Sequence, residues 1–479
     1  MLRRAILVPR KPSASRLLPT FGLLVLSGGL GLIFNFIGRW RHLDHSVPEF
    51  IALLLAAGVL YAAGVGLVEH FILPPSALLV IVLGALFFRL CLLPRDPTVS
   101  NDLYRYQWEG RVERLHINPY AVYPSIPALS ALEDRRHPIE TGRNVSTLYP
   151  PLSEWSFSWV GTPAGYKLLY TGFDLAALGV LAGLLAVAQQ RLHRLLIYAW
   201  NPCVLVSFAM CGHHDSLAIF TLLAAVLFAT LRKPALSLTF LALSVISKFF
   251  SVLLLPTLLV RPSRSPSVGN PGAGTVRGSL LPRQERGAQA TASQTPTVRD
   301  SRRARPAYAA LFVTIVGLSY LPFLSAGRGL FKGLSDYAAG WEGNDSLFRL
   351  IRLAGNSKQQ AELVAGVLVL ILVAYTLRRS LEPVAAGLLL ISGLLFLSPN
   401  AFPWYFTWIV PFLCFYPRAP LLLLSITSVL GYAPVVAYAA GQAYRDSTVI
   451  LLLEYAPVLA WLVYEGLRAN AINVTNPIA

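Results

Sequence analysis

Acidic residues are scarce in this chain: 23 Asp and Glu stand against 40 Lys and Arg in 479 residues. Charge of either sign is thin, at 13% of residues, whereas 55% are hydrophobic and the mean hydropathy is +0.58. One soluble core cannot absorb that much apolar sequence, so the composition excludes a soluble globular domain and indicates an all-α polytopic membrane protein. The formal charge of +17 does not point to nucleic acid. The Lys and Arg sit largely in short flanks and one linker between apolar runs, which is the pattern of cytoplasmic membrane loops. Cysteine is equally sparse. Cys91, Cys203, Cys211 and Cys414 lie in or beside apolar stretches without a CxxC or a paired His spacing, so neither a disulfide framework nor a zinc site is indicated.

Apolar runs at 18–37, 51–73 and 75–93 predict three spans. With the basic N-terminus in the cytoplasm, they deliver residues 94–150 to the outer face. The first run is too long for a signal-peptide core and has no small-residue cleavage site, so it reads as a retained helix. Runs near 164–189, 195–211, 216–231, 234–260, 307–325, 361–377, 383–398, 403–416, 419–440 and 448–467 follow, and the expected total is about 12–14 helices. The chain thus divides into N-terminal spans (1–93), an extracytoplasmic loop with interfacial helices (94–163), further spans (164–260), a basic linker (261–306) and C-terminal spans (307–479). The last of these carries outer loops at 326–360 and 398–405. Run 234–260 raises a conflict, because one crossing would put the linker, with nine Arg against Glu285 and Asp300, on the outside. Two half-crossings that turn at Ser247-Lys248 keep it inside. The linker is rich in Gly, Pro, Ser and Thr and cannot bury enough to order itself.

The densest polar and aromatic cluster is Ser100-Asn-Asp-Leu-Tyr-Arg-Tyr-Gln-Trp-Glu-Gly-Arg111. As a helix it places Asp102, Arg105, Tyr106 and Glu109 on one face and Tyr104, Trp108, Arg111 and Leu115 on the other. The first face combines acid and cation. The second suits the headgroup zone, so an interfacial anchor is the alternative reading. Lys248 is a cation inside an apolar run, which costs at least about 2.5 kcal/mol at mid-membrane unless it meets water or a partner; a snorkelling half-helix end is its plain reading.

With Ile117-Asn-Pro-Tyr120, Tyr149-Pro-Pro-Leu152, Trp200-Asn-Pro202, Gly212-His-His-Asp215 and Pro403-Trp-Tyr-Phe-Thr-Trp408 following in order, the chain resembles the GT-C superfamily of polyprenyl-phosphate-sugar-dependent glycosyltransferases. Its bacterial mannosyltransferase branch is the most similar. The resemblance implies a GT-C-like bundle, a polyprenyl-phosphate sugar donor, and transfer of a hexose, mannose foremost, to a glycolipid or glycan acceptor on the outer face. Asn101 stands where the family has its first acid, and Glu109 where it has Asp. The first departure puts a metal-binding carboxylate pair in doubt, so the sequence assigns no certain cofactor and leaves a divalent metal open without indicating one.

Sugar transfer from a lipid phosphate needs a base for the acceptor hydroxyl and positive charge for the leaving phosphate. Asp102 is the expected base, with Glu109 the runner-up. Arg105, Arg111 and Lys248 are the expected donor-phosphate groups, although an ion pair with Asp102 or Glu109 is the alternative for Arg105. Tyr104, Tyr106, Trp108, Asn118, Tyr149, His213, His214, Asp215, Trp404 and Tyr405 are the expected substrate contacts. For His213-His214-Asp215 the plain reading is a helix cap, and for Trp404, Tyr405 and Trp408 an aromatic belt. A transporter or flippase of lipid-linked sugars is the competing class. It would need many spans but no acid pre-positioned on an outer loop.

Overall fold

The computed structural model describes residues 14–40, 43, 46–97, 99–139, 142–260, 304–434 and 446–475. Nearly all of the basic linker, 261–303, lies outside the described residues. Among the described residues the chain is helical and forms no β-strand; one isolated bridge joins Gly343 to Asn400. Proline places many of the helix starts, because its fixed φ suits the first turn and its missing N–H is no loss there. The starts at Pro163, Pro202 and Pro383 are each preceded by a cap: Thr162 accepts from Gly165 N, Asn201 from Cys203 N and Val204 N, and Glu382 from Val384 N and Ala385 N. Ser357 and Gln360 form a reciprocal capping box at the start of Lys358–Arg378.

Among the described residues six helices are long and apolar enough to cross a bilayer: Leu18–Arg39, Val47–His70, Pro75–Leu92, Pro163–Val187, Lys358–Arg378 and Thr448–Arg468. Each is two-sided. Leu32, Leu79 and Leu363 are more than half exposed, as lipid-facing residues are, whereas Phe34, Ile81 and Ala361 are fully buried. Two bent pairs add to them, Pro202–Met210 with Asp215–Thr230 at 120° and Arg305–Ser319 with Leu321–Gly340 at 82°. Four shorter apolar helices, Pro234–Val245, Phe249–Val260, Pro383–Leu397 and Ala419–Tyr432, complete the set. By length and composition the described residues thus hold six to eight spans plus four half-length apolar helices, where the sequence led us to expect about 12–14 helices. Run 195–211 is broken by the Asn201 cap, and run 403–416 is a 3-10 turn, Pro403–Trp408, followed by one helical turn, Val410–Leu413.

The split at Ser247-Lys248 is observed. Helix Pro234–Val245 ends, Lys248 is extended (φ −159°, ψ 130°), and a 3-10 turn restarts at Phe249. Both Phe249–Leu254 and Leu255–Val260 pack back against Pro234–Val245. The ends of the linker also meet: Arg305 donates to the Val260 carbonyl at 2.5 Å. Deleting residues 265–300 is accordingly expected to leave thermal unfolding of the purified protein unchanged. A large drop in Tm would show that the linker contributes to the fold.

One ion pair fixes the middle of the bundle. Arg89 grips both carboxylate oxygens of Asp174 at 2.6 and 3.2 Å and also donates to the carbonyls of Ala85 and Ala199, all without solvent exposure beyond 1%. Removing one buried partner strands the other, at a cost of roughly 3–5 kcal/mol, whereas replacing both with apolar groups is often nearly neutral. Arg89→Met should thus lower stability in detergent sharply, and Arg89→Met/Asp174→Leu should recover most of the loss.

Candidate active site

The Asp102–Arg114 helix lies against Pro151–Ser158. Gly110 permits this approach, since a Cβ there would stand 2.1 Å from the Phe157 carbonyl oxygen. Its N-terminal turn meets the break between Pro202–Met210 and Asp215–Thr230. That break turns on Gly212, whose φ of +68° is the left-handed conformation that glycine adopts without strain, and a Cβ would crowd Leu103 at 2.8 Å. His213 Nδ1 consequently lies 3.6 Å from Asp102 Oδ2 and 3.4 Å from the Tyr106 hydroxyl, with its ring stacked on Trp404 at 4.1 Å. His214, itself fully buried, lies in an aromatic box whose walls include Tyr106, Tyr149 and Phe157. The adjacent histidines are therefore not a chelating pair. Among the described residues no three His, Cys, Asp or Glu side chains gather as a metal cluster.

Asp215 joins three segments. Its carboxylate is fully buried, receives Lys248 Nζ on both oxygens at 2.8 Å, and accepts from Trp408 Nε1 at 2.7 Å. The Lys248 ammonium also lies over the rings of Tyr405 (4.8 Å) and Trp408 (5.5 Å). The Tyr149-Pro-Pro-Leu152 motif docks on the same break, where Leu152 N donates to the Ile246 carbonyl and Ser153 Oγ to that of Ser247 at 2.7 Å. Solvent still reaches 33% of the Asp102 side chain and 16% of Lys248. These two mark the open edge of the site.

The acids of this region part company. Surrounding protein pushes the Asp102 carboxyl up to about 6, a rise that Lys248 opposes and that Asp215 and Glu109 reinforce. Glu109 is fully buried and ion-paired to Arg105 at 2.7 Å, with the buried Glu154 carboxyl close by. Burial raises both, and Glu154 accepts from Thr147 Oγ1 at 2.5 Å. Glu109, the runner-up base, is enclosed away from the open edge.

Several other expected contacts are engaged elsewhere. Arg105 is occupied by Glu109 and by the carbonyls of Gly142 and Val145, and Arg111 donates to the Leu132 carbonyl at 2.7 Å. Tyr104 stacks on His137 at 4.2 Å, and Trp108 is buried with Val112 and Ile139. The second helix face, expected at the headgroups, is instead covered by the chain's own residues 115–139, because these aromatics offer a better apolar contact than the interface does. Asn118 ties the loop to Phe323 and Ser325. Tyr106, Tyr149, His213, Asp215, Lys248, Trp404 and Tyr405 do converge with Asp102. Sequence reasoning missed Tyr337, whose hydroxyl lies 3.2 Å from that of Tyr405; it stands in no motif, and only the aromatic content of segment 326–360 hinted at it.

Residues 32–263 match the family model described as alpha-(1->6)-mannopyranosyltransferase, N-terminal domain. That stretch of the chain is similar to this mannosyltransferase domain. No curated protein matches the chain. The domain supports a membrane glycosyltransferase that acts on mannose. It holds Asp102, His213, Asp215 and Lys248, whereas Tyr337, Trp404, Tyr405 and Trp408 lie beyond it. The candidate site is thus built from both halves of the chain.

Its stability rests on the Asp215 clamp. Lys248, expected from the sequence to meet the donor phosphate, neutralises a buried carboxylate. Lys248→Met should therefore destabilise the protein by about 3 kcal/mol, and Lys248→Met/Asp215→Asn should regain most of it. Thermal unfolding of the three proteins checks this, and an unchanged Tm in Lys248→Met would contradict the clamp.

Proposed function

We propose that the protein transfers a mannosyl residue from a polyprenyl-phosphate donor to a hydroxyl of an extracytoplasmic glycolipid or glycan, with inversion and with Asp102 as the base. The observation that carries this reading is the solvent-reached Asp102 carboxylate set beside His213 and in electrostatic range of Lys248. The acceptor oxygen attacks the anomeric carbon as Asp102 takes its proton. The bond from that carbon to the phosphate oxygen breaks on the opposite face, and its electron pair leaves with the phosphate. Lys248 is the cation that meets it, a point charge shared between Asp215 and the leaving group. Tyr106, Tyr149, Trp404 and Tyr405 wall the sugar, and His213 lies beside Asp102. Arg105, Arg111, Asn118, Tyr104 and Trp108 act on the substrate only through the loop they brace.

A base that titrates near 6 has a visible signature. The rate should fall as pH drops through about 6, because the protonated carboxyl no longer accepts, and should level off above it. Asp102→Asn should cut transfer at least about 100-fold with donor binding preserved. The assay is mannose release from a polyprenyl-phosphate mannose by purified protein with a panel of glycan acceptors. Translocation of the intact lipid without release would favour a flippase instead, and normal turnover in Asp102→Asn would remove the base from this residue.

A further inference from the structure

Beyond the expected contacts, the site carries a row of polar groups that neither the ion pairs nor the proposed base uses. Asn400 donates from Nδ2 to the Tyr337 hydroxyl, which lies 3.2 Å from the Tyr405 hydroxyl. Hydrogen counting shows what is left over. Two hydroxyls supply two protons, and their mutual hydrogen bond uses one. If Tyr337 donates to Tyr405, the Tyr405 proton is spare; in the reverse sense the Tyr337 proton is. Asn400 Oδ1 adds a buried acceptor with no hydrogen-bond partner among the described residues, in a residue only 4% exposed. The row therefore ends in a spare donor and holds an unused acceptor.

It is rigid and well placed. Trp341 stacks on Tyr337 at 5.6 Å, Lys358 caps the end of the Lys332–Gly340 helix through the carbonyls of Ala338, Ala339 and Trp341, and Asn400 is bridged to Gly343. The Tyr405 ring lies under the Lys248 ammonium at 4.8 Å. A group bonded to a phosphate at Lys248 would thus lie beside the two hydroxyls.

We propose that Tyr337, Tyr405 and Asn400 read the hydroxyls of the donor's sugar ring, making Tyr337 and Asn400 specificity-determining residues. This rests on the donor-phosphate role of Lys248 proposed above. A site built to hydrogen-bond hydroxyls discriminates against a ligand that lacks or misplaces them, because its own polar groups are then left unpaired.

The test compares full-length wild type with Tyr337→Phe/Tyr405→Phe, which keeps both rings and removes both hydroxyls. Affinities are measured for polyprenyl-phosphate mannose, polyprenyl-phosphate glucose and bare polyprenyl phosphate, with a thermal unfolding scan of each protein. Wild type should bind the mannosyl lipid more tightly than the other two. The variant should lose about tenfold toward the mannosyl lipid, level its preference between the two sugars, and keep its affinity for bare polyprenyl phosphate. Equal weakening toward all three lipids, or an intact mannosyl preference in a folded variant, overturns the proposal. Wild type that binds none of them overturns the donor reading itself.

Discussion

A buried carboxylate in an apolar bundle must find positive charge and hydrogen-bond donors, or it destabilises the fold by several kcal/mol. Asp215 finds both, in Lys248 from one helix break and the Trp408 indole from the Pro403–Trp408 turn. Each partner lies where a helix is interrupted, and Asp215 itself begins the helix after Gly212. Meeting the needs of this one anion brings three interruptions to one place. Backbone freed from the helical pattern at membrane depth is tolerated where it lines a polar site, and here it also positions His213, Tyr405 and the docking edge for Leu152 and Ser153.

The same helix carries two acids with opposite surroundings. Asp102, at its first turn, is open at one edge and held near a charge balance by Lys248 and Asp215. Glu109, two turns on, is sealed with Arg105 and Glu154 and braces the loop around Val145 and Thr147. Environment, not residue type, assigns the roles: an enclosed acid with a fixed partner is structural, whereas an acid beside a His and near a free edge can exchange its proton with a substrate. The stretch matched by the family model holds both.

Much of this was legible in the sequence, for physical reasons that can be named. The basic linker after run 234–260 announced a break near Ser247-Lys248, because a single crossing would have put its nine Arg outside, and the helix is interrupted there. The 3.6-residue period put Asp102 and Tyr106 on one face, and they do face His213 together. Pairing was less legible. Nothing in spacing says that Lys248 and Asp215, 33 residues apart, neutralise one another, or that Trp108 and Tyr104 pack on residues 115–139 instead of lipid headgroups. Nor does hydropathy alone distinguish a span from a half-length helix such as Pro234–Val245. Tyr337 was invisible because its role depends on two partners more than 60 residues away.

The central claim is that one open carboxylate activates the acceptor in a single displacement. The anomeric configuration of the product, determined by NMR after transfer from a polyprenyl-phosphate mannose of known configuration, tests it most directly. Inversion is predicted, because Asp102 takes a proton and forms no bond to the sugar. Retention would contradict the account, since it requires a covalent or equivalent two-step route through an enzyme nucleophile.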